Sequence, residues 1–277
     1  MARNSFKLNM MKVAALVLAA AAGFASCGTM AGDLVILHVN DTHSHLDPLR
    51  DGNGGIVERA AFVDSVRDAR GEKNVMLLHA GDFSQGSSYF TLLNGDLEVD
   101  LINALKYDCV TLGNHEFDNG IEELGRRVAN LNCPVVCANY DFSPFEAGKY
   151  ITPYAIIRKA HKNIGIIGLL TDLGSVVDRN TADRMPSLGD NASIVNKWAS
   201  YLRNEAKCDM VILLTHIGYE EDVMLCGQIK GVDAIVGGHS HTWLDEMTIC
   251  RDAEGKEIPV VTDGQWGLAI GELEVSF

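Results

Sequence analysis

Short apolar runs, each nearly continuous in hydrophobicity, recur at residues 34–39, 75–78, 110–112, 135–138, 164–169, 210–214 and 234–236. Runs of this length without polar alternation mark strands covered on both faces. Between them lie segments of helical period, such as Ile56, Ala60, Val63 and Val66, then Ile194, Trp198 and Leu202. Strand alternating with helix predicts an α/β fold built on a largely parallel sheet. The final stretch differs, with Leu273, Val275 and Phe277 on one face and Glu272, Glu274 and Ser276 on the other. It predicts a half-exposed strand, antiparallel or at an edge.

Six polar motifs stand where these runs end: Asp41-Thr42-His43, Gly81-Asp82, Gly113-Asn114-His115-Glu116, Thr215-His216, Gly237-Gly238-His239 and Ser240-His241. In open α/β sheets the loops leaving the carboxyl ends of strands gather at one edge and build the ligand site. In an extended segment residues i and i+2 point the same way, so Asp41 with His43, and His239 with His241, are each expected to pinch one ion. One Asp-x-His or His-x-His in a loop is ordinary surface chemistry. Carboxylate and imidazole at successive strand ends form the ligand set of a transition metal.

Charge and export signals narrow the setting. Arg3, Lys7 and Lys12 precede an apolar run from Val13 to Phe24, followed by Ala25, Ser26, Cys27 and Gly28. The pattern is that of a secretory signal, and the run falls short of the ~20 residues that span a bilayer. Cys27 directly after Phe24-Ala25-Ser26 resembles the lipobox of bacterial lipoproteins, with ordinary cleavage nearby as the alternative. The expected organisation is a signal at 1–26 and one domain over 27–277, in an exported protein that is periplasmic or held at the outer membrane by a lipid on Cys27. Loss of 1–26 removes three of the 23 basic residues and none of the 37 acids, leaving 20 against 37, or −17. So acidic a surface repels a phosphate backbone and excludes nucleic acid as partner. Small anionic substrates need cations within the site to reverse the local field.

Six cysteines follow Cys27, and they lack the dense spacing of a disulfide framework. Cys109, Cys137 and Cys208 sit in or beside apolar runs. Buried free thiols are the expectation, with one disulfide as the alternative.

Five blocks together, NDTHSHL at 40–46, GDFSQGS at 81–87, GNHEFD at 113–118, THIG at 215–218 and GGHSH at 237–241, resemble the calcineurin-like metallophosphoesterases, specifically the amino-terminal catalytic domain of secreted 5′-nucleotidases. The resemblance covers essentially all of 33–277 and implies a four-layer α/β/β/α sandwich of two mixed sheets. It implies two divalent ions (Zn, Mn, Fe or Co), one held by Asp41, His43, Asp82 and His241 and the other by Asp82, Asn114, His216 and His239, with Asp82 bridging. Two ions about 3.5–4 Å apart hold a hydroxide and clamp a phosphoryl group for in-line displacement. His115 and Asp118 match the family's catalytic pair, in which the carboxylate fixes the imidazole tautomer and raises its pKa; a purely supporting role for His115 beside Asn114 is the alternative. His45 is expected to be structural or solvated, Glu116 to cap or pair locally, and His38, His79 and His161 to lie in the core or on the surface.

Two departures bear on substrate. The family's nucleotidases usually carry Gln or Asn at the position of His241, which leaves 2′,3′-cyclic nucleotides, UDP-sugars and sulfur esters open beside nucleotide monophosphates. The family's carboxy-terminal domain, which grips the nucleoside, has no counterpart in this sequence. The expected function is dimetal hydrolysis of nucleotide phosphate esters; a reading of another class is a catalytic-domain subunit, poorly active alone, that docks a separate substrate-binding chain.

Overall fold

The computed structural model describes residues 33–277 together with the two-residue strand β1 (Lys7–Leu8). The rest of 1–32, where the export signal and the lipidated Cys27 are expected, lies outside the described residues.

Among the described residues, thirteen strands form two mixed sheets. β2 (Asp33–Val39), β3 (Val75–His79), β4 (Cys109–Thr111), β5 (Val135–Val136) and β6 (Ile151–Thr152) run parallel, in that order, in the first sheet. The second sheet contains β7 (Tyr154–Lys159), β8 (Lys162–Leu170), β9 (Met210–His216), β10 (Ala234–Val236), β11 (Thr248–Arg251) and β12 (Glu257–Val261). Its order is β11-β12-β10-β9-β8-β7, with the two edge strands antiparallel to their neighbours. β13 (Gly271–Ser276) returns to the first sheet between β1 and β2, antiparallel to both. Leu273 and Val275 are buried while Glu272 and Glu274 are not, as their alternation predicts.

Helices cover the outer faces. α1 (Ile56–Arg70), α2 (Ser88–Leu93), α3 (Asp96–Ala104) and α4 (Gly120–Val128) come from the first half of the chain, and α5 (Leu173–Val176), α6 (Arg179–Arg184), α7 (Asn191–Asn204) and α8 (Tyr219–Cys226) from the second. Period-two alternation within the strands decides which layer each side chain joins. In β2, Val35, Leu37 and Val39 pack with Val63 of α1 and Ile102 of α3, whereas Leu34 and Ile36 turn inward against Ile164, Ile166 and Ile212 of the second sheet. Ile167 and Leu169 of β8 face the other way, onto Val195 and Leu202 of α7. The layers are therefore helix, sheet, sheet, helix, as the family resemblance implies. Strand hydrophobicity alone led to one sheet, because a strand buried on both faces reads the same whether its cover is a helix or a second sheet. Among the described residues no helix is long and apolar enough to cross a membrane.

Candidate metal centre

The carboxyl ends of β2, β3, β4, β9 and β10 open onto one edge of the sandwich, and the polar motifs leave from them. Their backbone is not extended. Asp41 (φ 49°), His43 (φ 47°), Asp82 (φ 54°), His239 (φ 79°) and His241 (φ 52°) all lie in the left-handed region. The expectation of extended i, i+2 pairs is thus corrected: the chain coils sharply after each strand. Left-handed residues other than glycine carry strain of order 1–3 kcal/mol each and cluster at functional sites. Two glycines permit the close approach, since a Cβ on Gly113 would stand 2.1 Å from Asp82 Oδ1 and one on Gly238 2.7 Å from the Ala80 carbonyl oxygen.

Ligand atoms converge in three groups: Asp41, His43 and His241; His43, Asp82 and His115; and Asp82, His216 and His239. Asp82 Oδ2 lies 3.1 Å from His216 Nε2 and 3.9 Å from His43 Nε2, so the carboxylate sits between the first and third groups. Asp41 Oδ1 faces His241 Nε2 at 3.2 Å, His43 Nε2 at 3.7 Å and His216 Nε2 at 3.8 Å. Asn114 is buried and its Oδ1 has no hydrogen-bond partner. A buried unpaired oxygen costs about 1–3 kcal/mol, a cost that a bound cation would remove. The residues fit two divalent ions.

Supporting contacts aim these side chains. His216 Nδ1 donates to the Ala80 carbonyl at 2.7 Å, which leaves Nε2 as the ligand atom. Asp41 Oδ2 accepts Asn40 Nδ2 at 2.6 Å and the His239 N–H at 2.9 Å. Asp82 Oδ1 accepts the His115 N–H at 2.9 Å. Burial works against a charge on His216, but the Asp82 and Asp41 carboxylates win and push its pKa up to about 10. Burial likewise opposes ionisation of Asp82, and His216 overrides it, holding the carboxyl far below its ordinary range. A proton and a metal ion compete for the same imidazole lone pair, so ion uptake here releases protons.

At the rim, His115 Nδ1 lies 2.9 Å from Asp118 Oδ2, and this hydrogen bond is the main cause that raises the His115 pKa. The His115 ring stands edge-on to His43 with centroids 5.2 Å apart. His45 stacks on Trp266 at 4.5 Å and stands outside the ligand groups. His79 is buried against Phe83 and within 3.1 Å of Thr42 Oγ1, and burial drives its pKa down to about 3. His38 is buried beside Asp263, while His161 is exposed.

Three residues support the site beyond the roles their motifs announce. Glu116 is fully buried and reaches beyond its own loop: it accepts N–H groups from Gly113 at 2.6 Å, Asp82 at 2.8 Å and Ser84 at 3.0 Å. Asn40 links Asp41 to the Gly264 carbonyl at 2.7 Å. Asp222 on α8 accepts Thr215 Oγ1 at 2.8 Å, and burial pushes its pKa up to about 8. Asn40 stands at the end of an apolar run and opens the NDTHSHL block; Asp222 lies in a helix with nothing local to distinguish it from its acidic neighbours.

The calcineurin-like phosphoesterase family model matches residues 34–243. The chain belongs to that family. It is similar to a snake venom 5′-nucleotidase from Naja atra, at 32% identity over 88% of this chain and 50% of the relative. Among solved structures it is similar to a 5′-nucleotidase precursor from Thermus thermophilus (TM-score 0.80, 33% identity, 88% of this chain and 51% of that one). A NAD nucleotidase from Haemophilus influenzae superimposes with TM-score 0.79 at 29% identity, over 88% of this chain and 47% of the other. The chain spans about half the length of these relatives. The fold and the use of two divalent metals follow from the family and the ligand groups.

Proposed function

We propose that this protein is a metal-dependent phosphoric ester hydrolase acting on nucleotide phosphate esters, in the manner of a 5′-nucleotidase. The observation that carries the reading is the convergence of Asp41, His43, Asp82, His216, His239 and His241 from four strand ends, with buried Asn114 after a fifth offering an unpartnered Oδ1 and the His115–Asp118 pair at the rim. When bound, two divalent ions supply Lewis acidity and a nucleophile active at neutral pH. Asp41, His43, Asp82 and His241 would hold one, and Asp82, Asn114, His216 and His239 the other. Asp82 suits the shared position because its Oδ2 lies between His216 Nε2 at 3.1 Å and His43 Nε2 at 3.9 Å, while Oδ1 is held by the His115 N–H. Asp118 holds the proton of His115 on Nδ1, so protonated His115 presents Nε2–H to the phosphoryl or leaving oxygen and offsets the charge that develops there.

Purified protein supplied with Mn or Zn is assayed side by side on AMP, UDP-glucose, a 2′,3′-cyclic nucleotide and an aryl phosphate. The reading expects turnover, with AMP among the preferred substrates. Absence of turnover on every phosphoester under several metals overturns it. Similarity to a NAD nucleotidase supports a second substrate class, dinucleotides joined by a pyrophosphate, and NAD is added to the panel for that reason. A lipid on Cys27 completes the proposal, tested by the mass of the membrane-extracted protein; the alternative, a catalytic subunit poorly active alone that docks a separate nucleoside-gripping chain, is tested by its size and activity with and without such a chain.

A further inference from the structure

The cysteines stand apart from the metal chemistry, and two of them lie on neighbouring elements. Cys226 is the last residue of α8, and Cys250 lies in β11, the edge strand of the second sheet on which α8 packs. The chain just beyond each runs side by side: Ala253 N–H donates to the Ile229 carbonyl at 2.9 Å, and a Cβ built on Gly227 would lie 4.0 Å from the Arg251 carbonyl oxygen. Both side chains belong to the one cluster between α7, α8 and the second sheet, Cys226 within it and Cys250 packed against it. Cys226 is fully buried, whereas Cys250 is half-buried between exposed Ile249 and Arg251. Cys250 is therefore the more accessible of the two.

We infer that Cys226 and Cys250 are a disulfide-forming pair, closed by thiol–disulfide exchange in an oxidising compartment. The oxidant is a disulfide, that of an oxidoreductase or of oxidised glutathione. The Cys250 thiolate attacks one of its sulfurs and expels the other as a thiolate; Cys226 then loses its proton and displaces the half that is bound. Two protons and two electrons leave the pair, while one S–S bond breaks in the oxidant and one forms in the protein. The resulting clip encloses residues 226–250, which include His239 and His241. It ties the helix that follows His216 to the strand that follows those two histidines.

The test uses the full chain, exported to a bacterial periplasm or equilibrated with oxidised glutathione, then denatured, alkylated without reduction and digested. The expected product is one peptide pair joined through Cys226 and Cys250 and lighter by two hydrogens, with Cys109, Cys133, Cys137 and Cys208 alkylated. C250S should abolish the linked pair and leave Cys226 alkylated. Alkylation of both Cys226 and Cys250 in the oxidised wild type, or a bond from either to another cysteine, overturns the assignment. Thermal melting supplies a second reading: the wild type should melt lower after reduction, and a C226S/C250S variant should show no such gap. An equal gap in that double variant counts against the pair.

Discussion

The Glu116 carboxylate accepts the backbone N–H of Asp82 at 2.8 Å, so the residue placed between the two ligand groups is held by a side chain from the neighbouring strand's loop. The same carboxylate accepts Gly113 and Ser84. Arg127 in turn donates to the Glu116 carbonyl and, at 2.6 Å, to Ser84 Oγ. Loops after β3 and β4 are thereby joined before any cation binds.

Removing that joint should cost stability. Glu116→Ala leaves three buried N–H groups without an acceptor, each worth about 1–3 kcal/mol, so a loss of roughly 3 kcal/mol or more is expected in denaturant unfolding of the chelated protein. Glu116→Gln retains one acceptor oxygen and should lose less. Equal stability of wild type and Glu116→Ala removes the role.

His115 and Asp118 should affect rate and not metal content. His115→Ala is expected to lower kcat by about 10²–10⁴-fold, the range of general acid–base contributions, with bound metal per chain unchanged. If metal falls in step with activity, His115 acts as a ligand through its grouping with His43 and Asp82.

Asn114 and His216 are expected to govern occupancy. Asn114→Ala or His216→Ala should reduce bound metal from two ions towards one per chain, measured by elemental analysis. Chelation of the wild type should lower its melting temperature, since a ligand at 100 times its Kd stabilises by about 2.7 kcal/mol. An unchanged melting curve on chelation contradicts stable ion binding.

Asp222 makes apo-protein stability depend on pH. Burial raises its folded pKa to about 8 from an ordinary 3.8. The folded state thus holds a proton that the unfolded state releases. This contribution is fully present below about pH 4, declines as pH rises and is exhausted above about pH 8. Asp222→Asn, which keeps an acceptor for Thr215 without a charge to bury, should flatten that decline in denaturant titrations. A slope unchanged by the substitution assigns the decline elsewhere.

Much of the site was legible in the sequence because ligand atoms belong to residue types that stand at strand ends beside glycine. Asp41, His43, Asp82, Asn114, His216, His239 and His241 are all read from motifs only a few residues long, and all seven occur on the edge where the strands open. Their backbone was not legible. Asp41, His43, Asp82, His239 and His241 all take left-handed φ values; Asp and His visit that region more often than most residues but still rarely, so residue type alone does not announce it.

Apolar periodicity by itself determined the α/β class, the half-exposed last strand and the burial of Cys109, Cys137 and Cys208. The division into two sheets came from the family resemblance and not from periodicity; only the tertiary structure decided which layer each strand side chain joins, that Glu116 and Asp222 serve the ligand loops, and that the segments carrying Cys226 and Cys250 run side by side. Each of these depends on residues brought together from distant or separately folded segments, and a side chain carries no local mark of the partner that folding will place against it.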